Sequence, residues 1–301
     1  MLQFHDLNRR ALASLAAEGD FPRPWRAMNE LEAAADDAVA RLRARRAELA
    51  GRALTPTRLR HALDRLVWTD TPEYLDRADV SAARKQRIVQ ALHRMNQGLF
   101  SYHRFLHHLR PAIERVARRE RRPARVLELA AGSGEFTMAL ARLAQRKGLP
   151  VEVMGSDIEA SYIDLGNARA SARGLPVSFK RLNAFDMSAV LPGDHDIYFI
   201  AQSIHHFTPG HLAMMIAQAG LAGGKHFVGI DGRRGLLMLA GLPSLTALSL
   251  NPDYVHDATI TARRFYSEPE LEMVARLAAP EAQAVRVHPA EPGFSIIDIN
   301  Y

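Results

Sequence analysis

Cysteine is absent from the 301 residues, which excludes disulfides, metal–thiolate sites and a thiol nucleophile. No stretch approaches the run of about 18 apolar residues that a membrane helix needs, and no short apolar core of a leader peptide opens the chain. A soluble, cytoplasmic protein without a membrane partner is therefore expected. Lysine is scarce: only four of the 39 basic residues are lysine (Lys85, Lys147, Lys180 and Lys225), so the net charge of +6 is carried almost wholly by arginine. The arginines gather at Arg41–Arg46 and Arg115–Arg125. Solvated helix faces explain them better than a nucleic-acid patch, so no nucleic-acid partner is expected. Aromatics make up 7% and charged residues 24%, against 48% hydrophobic. That is enough apolar material for one sizeable globular core.

What is present is organised around Arg125–Phe136. Val126, Leu127 and Leu129 form a short apolar run suited to a buried parallel strand. It ends in the small-residue turn Ala130-Ala131-Gly132-Ser133-Gly134, and a helical period begins at once with Phe136, Ala139, Leu140, Leu143 and Ala144. A strand, a glycine turn and a helix let backbone come close to a nucleotide-like ligand. The dinucleotide fingerprint is incomplete, because Thr137 stands where its third glycine would be. Glu128 also sits just before the glycines. A pyrophosphate would be repelled there, whereas a ligand bearing an ammonium and a sulfonium would be attracted. A second strand, Val151–Asp157, ends in an acid 25 residues past Gly132. That is the spacing at which a βαβ unit sets a carboxylate on ribose hydroxyls.

On these residues the chain resembles the class I S-adenosylmethionine-dependent methyltransferases. Their acidic residue and alternating glycines are written here Glu128-x-Ala130-x-Gly132-x-Gly134, with alanine replacing the first glycine. The resemblance covers about residues 90–300 and implies S-adenosylmethionine as cofactor and S-adenosylhomocysteine as product. It assigns Glu128, Ala130, Gly132, Ser133, Gly134, Asp157, Ile158, Asn183, Ala184, Phe185 and Gln202 to the cofactor. Asn183 takes the place where the family usually carries an acid on the adenine amino group; its side-chain carbonyl accepts without charge assistance. The tail, from His256-Asp257 to Glu270-Leu271, is similar to bacterial small-molecule methyltransferases, including ones associated with polyketide pathways.

Further strands are expected at Val177–Leu182, Asp196–Ala201 and His226–Asp231, with a final antiparallel pair at about 284–287 and 294–299. The fold class is thus α/β: a Rossmann-like, seven-stranded, mostly parallel sheet with helices on both faces, preceded by an all-helical extension. Residues 1–121 read as the helical region, a cap or substrate lid, and 122–301 as the cofactor-binding domain. The apolar segment Arg233–Leu250 reads as a helix broken at Gly241-Leu242-Pro243, and 251–265 as too polar for a core.

Open α/β sheets bind ligands beyond the carboxyl ends of their strands. His205 and His206 follow the fourth strand there, and imidazole titrates near neutral pH. His205 is the candidate general base for a hydroxyl acceptor and His206 its understudy, each weighed against a structural role. Tyr102 and His103 are candidate substrate contacts from the helical front end. His256 and Asp257 form either a substrate-orienting pair or a surface loop, the loop preferred. His103 and His107 stand at metal-ligand spacing, but no Glu accompanies them and His93 and His108 make the helix merely histidine-rich, so no metal is expected. The reading is methyl transfer to a small-molecule hydroxyl, aromatic or polyketide-like, by a chain that could pair as a homodimer. RNA methylation through the arginine-rich helices and a cofactor-binding pseudoenzyme that docks a partner are the alternatives.

Overall fold

The computed structural model describes residues 2–19, 21–53 and 55–301. Five helices come first: α1 (His5–Ala16), α2 (Met28–Gly51), α3 (Thr55–Val67), α4 (Ala82–Gly98) and α5 (Ser101–Glu120). Then strands and helices alternate except between β3 and β4: β1 (Ala124–Glu128), α6 (Glu135–Lys147), β2 (Val151–Asp157), α7 (Ala160–Ala172), β3 (Val177–Arg181), β4 (Ile197–Ala201), α8 (Pro209–Leu221) and β5 (His226–Gly232). Three helices follow, α9 (Leu236–Ala247), α10 (Pro252–Arg264) and α11 (Glu268–Ala278), before the hairpin of β6 (Ala284–Ala290) and β7 (Phe294–Asn300). The seven strands lie in the order β3-β2-β1-β4-β5-β7-β6. Only the pairings of β7 with β5 and β6 are antiparallel. Among the described residues no helix is long and apolar enough to cross a membrane.

The central strands β1, β4 and β5 are buried on both faces because helices cover both. Val126, Ile197, Phe199, Val228 and Ile230 point to the layer that holds α5 and α6, while Leu127, Tyr198, Ile200 and Phe227 point to α8 and α11. The helical front end divides between these layers. α2 lies across α8 and α11, and its Leu31, Ala35, Val39 and Leu42 belong to the same cluster as the sheet. Close approach is enforced at Gly210 of α8, where a Cβ would meet the Glu32 carbonyl oxygen at 2.6 Å. α5 packs on the opposite face through Phe105, Leu109 and Ile113.

A buried charge cluster fixes α2 against the tail. Arg43 reaches Glu270 at 2.7 Å and Arg46 reaches the same carboxylate at 3.6 Å. Asp64 of α3 is held at 2.7 Å by Arg234 and at 3.4 Å by Arg46. Arg45 pairs with Glu18 and with Glu48. The basic run of α2 is therefore largely engaged in ion pairs within the protein, Arg46 in the interior and Arg45 nearer the surface.

Two expectations are corrected. α9 continues through Pro243 rather than breaking at Gly241-Leu242-Pro243, a single missing N–H being tolerated within the apolar segment. Residues 251–265 are not a polar loop. Asn251 accepts from the Tyr254 N–H at 3.2 Å, Pro252 opens α10, and Tyr254, Ala258, Ile260 and Ala262 are buried. Asparagine at the cap and proline in the first turn are both start signals for a helix.

Candidate active site

The turn after β1 has Ala130, Gly132 and Gly134 at φ of 49°, 54° and 75°. Glycine is required at 134, where a Cβ would sit 2.1 Å from the Phe179 ring. At 130 an alanine holds the left-handed conformation, which costs about 1–2 kcal/mol. The turn is stitched to β2: the Ala131 N–H donates to the Ser156 carbonyl and the Gly132 N–H to Asp157 Oδ2, each at 2.8 Å. Glu128 is buried beneath it and accepts from the Thr137 hydroxyl. Burial pushes the Glu128 carboxyl up to about 8. Burial also raises Asp157, against the N–H donors of Glu159 and Gly132.

A cavity of about 690 Å³ opens over this turn. Glu128, Ala130, Gly132, Ser133 and Asp157 line one end, and Gln202, His205 and His206 the other, with Tyr102 and Asp257 on its walls. The front end closes it from above. His93 of α4 meets the Tyr102 hydroxyl at 2.6 Å and Ser133 Oγ at 3.4 Å, while Asn96 and Gln202 exchange side-chain hydrogen bonds at 2.8 and 3.3 Å. Burial holds His93 down at about 4, so it is neutral near pH 7.

At the far end, residues 204–206 form a single 3₁₀ turn beyond β4. Asp231, near the end of the neighbouring β5, accepts the His205 N–H at 2.7 Å and touches its Nδ1 at 2.9 Å. Glu73 lies against the other ring nitrogen, 3.5 Å from Nε2. Burial opposes charge on His205, but Asp231 and Glu73 prevail and raise it to about 10. The adjacent His206 sets Nε2 3.8 Å from Glu73 and Nδ1 2.8 Å from Asp76, the latter off the line of a straight hydrogen bond.

The segment carrying Glu73 and Asp76 is held by α10. Asp257 accepts the N–H groups of Tyr74 and Leu75 at 2.7 and 3.3 Å, the Thr261 hydroxyl donates to Glu73 at 2.6 Å, and Arg264 reaches Asp76 at 3.0 Å. Asp257 is thus a buried backbone anchor, and His256 stacks outside on Tyr74 at 4.0 Å between ring centres.

Seven of the residues singled out from sequence do not line the cavity: Gly134, Ile158, Asn183, Ala184, Phe185, His103 and His256. Gly134 shapes the turn. Asn183 is exposed and its side-chain carbonyl accepts the Phe185 N–H at 3.0 Å, while the Phe185 ring stacks on His211 at 4.2 Å. Sequence reasoning missed Glu73, Asp76, His93 and the role of Asp231. Only Asp231 carried a signal, as an acid near the carboxyl end of a central strand.

Residues 126–221 match the family described as "Methyltransferase domain". No curated protein matches the sequence. Among solved structures, the plantazolicin methyltransferase, in complex with a desmethyl analogue and S-adenosylhomocysteine, is 16% identical and superposes with a TM-score of 0.52 over 70% of this chain and 90% of that one. An S-adenosylmethionine-dependent methyltransferase from Aquifex aeolicus is 14% identical, with a TM-score of 0.44 over 58% of this chain and 81% of that one. Human N-acetylserotonin methyltransferase is 14% identical, with a TM-score of 0.43 over 58% and 47%. Residues 126–221 thus match a methyltransferase domain, and the strand order is that of the fold it shares with S-adenosylmethionine-dependent methyltransferases.

Proposed function

We propose that the chain transfers the methyl group of S-adenosylmethionine to a hydroxyl of a small aromatic or polyketide-like acceptor. The observation that carries this reading is one continuous cavity running from the glycine turn to His205. At the turn, Glu128 receives the cofactor's ammonium, Asp157 its ribose hydroxyls, and the Gly132-Ser133 backbone the methionine part. The adenine would lie beyond the cavity's edge, beside Ile158, Ala184 and Phe185, with the Asn183 carbonyl, which also accepts the Phe185 N–H, taking its amino group.

The acceptor lies towards His205, between the apolar side chains of α4 and α9 and the Phe265 ring, all of which line the cavity. Apolar walls suit an aromatic or polyketide-like body. Transfer from a sulfonium is an in-line displacement, so positioning supplies much of the acceleration. His205 stands where a group must deal with the hydroxyl proton, with His206 beside it; Asp231 fixes its ring and, with Glu73, favours its charged form, so it takes that proton only from its minor, deprotonated form. Tyr102 contributes to the wall, and α4 with α9 and α10 makes the lid. The arginines of α2 are engaged in ion pairs with Glu18, Glu48, Asp64 and Glu270, which favours a small acceptor over a nucleic acid. The plantazolicin methyltransferase, which shares the fold, is bound to a triazolic desmethyl analogue beside S-adenosylhomocysteine.

Calorimetric titration with S-adenosylmethionine and S-adenosylhomocysteine, followed by transfer of a labelled methyl group to a panel of phenols and enols, tests the reading. Roughly micromolar binding of both and labelling of a hydroxyl are expected. Folded protein that binds neither, or that labels only RNA in a salt-sensitive way, would overturn it.

A further inference from the structure

We propose that Glu73, His205 and His206 form a site for one divalent first-row transition-metal ion, of the zinc type, at the acceptor end of the cavity. The potential ligand atoms of these three residues lie within 4.8 Å of one another. The Glu73 carboxylate stands 3.5 Å from Nε2 of His205 and 3.8 Å from Nε2 of His206. Metal–ligand bonds of about 2.0–2.1 Å place tetrahedral donors about 3.4 Å apart, so each carboxylate–imidazole pair is within a few tenths of an ångström of that spacing, one through Oε1 and the other through Oε2 of Glu73, and the third separation lies within 4.8 Å.

The surroundings are those of a built site rather than a chance ion pair. Each imidazole has a carboxylate near its other nitrogen: Asp231 hydrogen-bonds His205 Nδ1 at 2.9 Å, and Asp76 lies 2.8 Å from His206 Nδ1, off the line of a hydrogen bond, where a small rotation of the ring would align it. Metal-bound histidines are oriented in this way, the outer carboxylate fixing the tautomer and turning Nε2 to the ion. The third ligand is held from behind as well, by the Thr261 hydroxyl on Glu73. Glu73 and His205 are buried, and all three face the cavity. Two imidazoles and one carboxylate favour a transition ion over magnesium or calcium, which prefer oxygen donors. Three protein ligands leave at least one position open, the pattern of catalytic rather than structural sites. The pair His103 and His107 offers none of this: both are exposed on α5.

The role of the ion rests on the methyl-transfer reading, although its binding does not. With the acceptor's hydroxyl oxygen in the open position, the ion lowers the pKa of that hydroxyl and the proton leaves to solvent. The oxygen lone pair then forms the O–CH₃ bond while the S–CH₃ bond breaks and its pair stays on sulfur. The products are the methylated acceptor, S-adenosylhomocysteine and a proton. In this arrangement His205 holds the ion instead of taking the proton.

Untagged, chelator-stripped protein is titrated with Zn²⁺ by calorimetry and with Co²⁺ by visible absorption. One equivalent per chain and a ligand-field band are expected. Glu73→Gln and His206→Ala should weaken the affinity at least tenfold, and Asp231→Ala, which touches the ion only through His205, roughly 10- to 100-fold. His107→Ala should leave it unchanged. Retained binding of S-adenosylmethionine shows that each variant is folded; if one is not, the wild-type stoichiometry decides. Absence of stoichiometric binding to the wild type, or binding lost in His107→Ala and kept in Glu73→Gln, overturns the proposal. Cofactor binding without metal leaves the methyltransferase reading standing, and metal binding without cofactor does the reverse.

Discussion

Glu128 provides a pH test of the cofactor site. Without cofactor, burial pushes its carboxyl up to about 8, although the Thr137 hydroxyl favours the ionised form. The proposed partner is an ammonium, which pairs with the carboxylate and not with the acid. The competent fraction is then about one chain in ten at pH 7 and one in a hundred at pH 6, and the apparent Kd scales inversely with it. Affinity for S-adenosylmethionine should therefore rise nearly tenfold from pH 6 to pH 7. It rises less from pH 7 to pH 8 and then flattens until the cofactor's own ammonium loses its proton. Calorimetry in buffers of different ionisation enthalpy should find close to one proton released per cofactor bound at pH 7. The sign for folding runs the other way. An acid whose folded pKa is raised contributes stability below its ordinary value near 4.5, and that contribution is lost as pH rises towards 8. The cofactor-free protein should lose stability across this window, and saturating cofactor should cancel the trend. Glu128→Gln should flatten both profiles and weaken binding at pH 8 by roughly 10- to 150-fold, the equivalent of about 1.5–3 kcal/mol for a charge-assisted hydrogen bond. A pH-independent affinity with no proton release in the wild type would refute the assignment.

Three further perturbations follow from the packing. Asp257→Ala removes the acceptor of two backbone N–H groups, so hydrogen exchange at Tyr74 and Leu75 should accelerate by roughly 30-fold or more (about 2–4 kcal/mol) while cofactor affinity stays the same; unchanged exchange would count against the anchor. Gly232→Ala would put a Cβ 1.9 Å from the Phe265 ring that packs edge-on to His205, and should cost about 1–3 kcal/mol in a denaturant titration, a result that wild-type stability would contradict. Glu270→Gln leaves Arg43 and Arg46 without their shared carboxylate and should destabilise by about 3–5 kcal/mol; an unaltered denaturation midpoint would mean that the cluster does not tie α2 to α11.

The sheet was legible because its signals are local. Short runs of the right length, the central ones apolar and several closed by small or acidic residues, placed the seven strands, and the helical period from Phe136 fixed the first crossover. The exceptions were also local in cause. Gly241 and Pro243 look like helix breakers, yet α9 absorbs both. The polar look of 251–265 comes from Asp253, His256, Asp257 and Arg263–Arg264, while the helix buries a different set of side chains, led by Tyr254, Ala258 and Ile260. The placement of α2 was not legible, because it depends on a fit against α8 and α11 that no periodicity encodes.

The two ends of the cavity differ in the same way. The cofactor end is built from about thirty consecutive residues, Glu128 to Asp157, whose spacing is itself the geometry, so a strand–turn–helix pattern suffices to find it. The acceptor end has no such economy. His205 and His206 were found because they follow a strand, but what surrounds them comes from three other places: Glu73 and Asp76 before α4, Asp231 near the end of β5, and Asp257, Thr261 and Arg264 along α10. Only Asp231, at the end of a central strand, and Asp257, beside His256, stand out in the sequence; Glu73 follows a proline turn that reads as an ordinary loop. Their meaning is pairwise: a carboxylate becomes a ligand or an orienting group only when another segment delivers an imidazole to it. The helical front end is therefore more than a cover. By contributing Glu73 and Asp76 it sets the charge and the donor atoms that the histidines present to the cavity, so chemistry at the acceptor end depends on how residues 73–76 dock on α10.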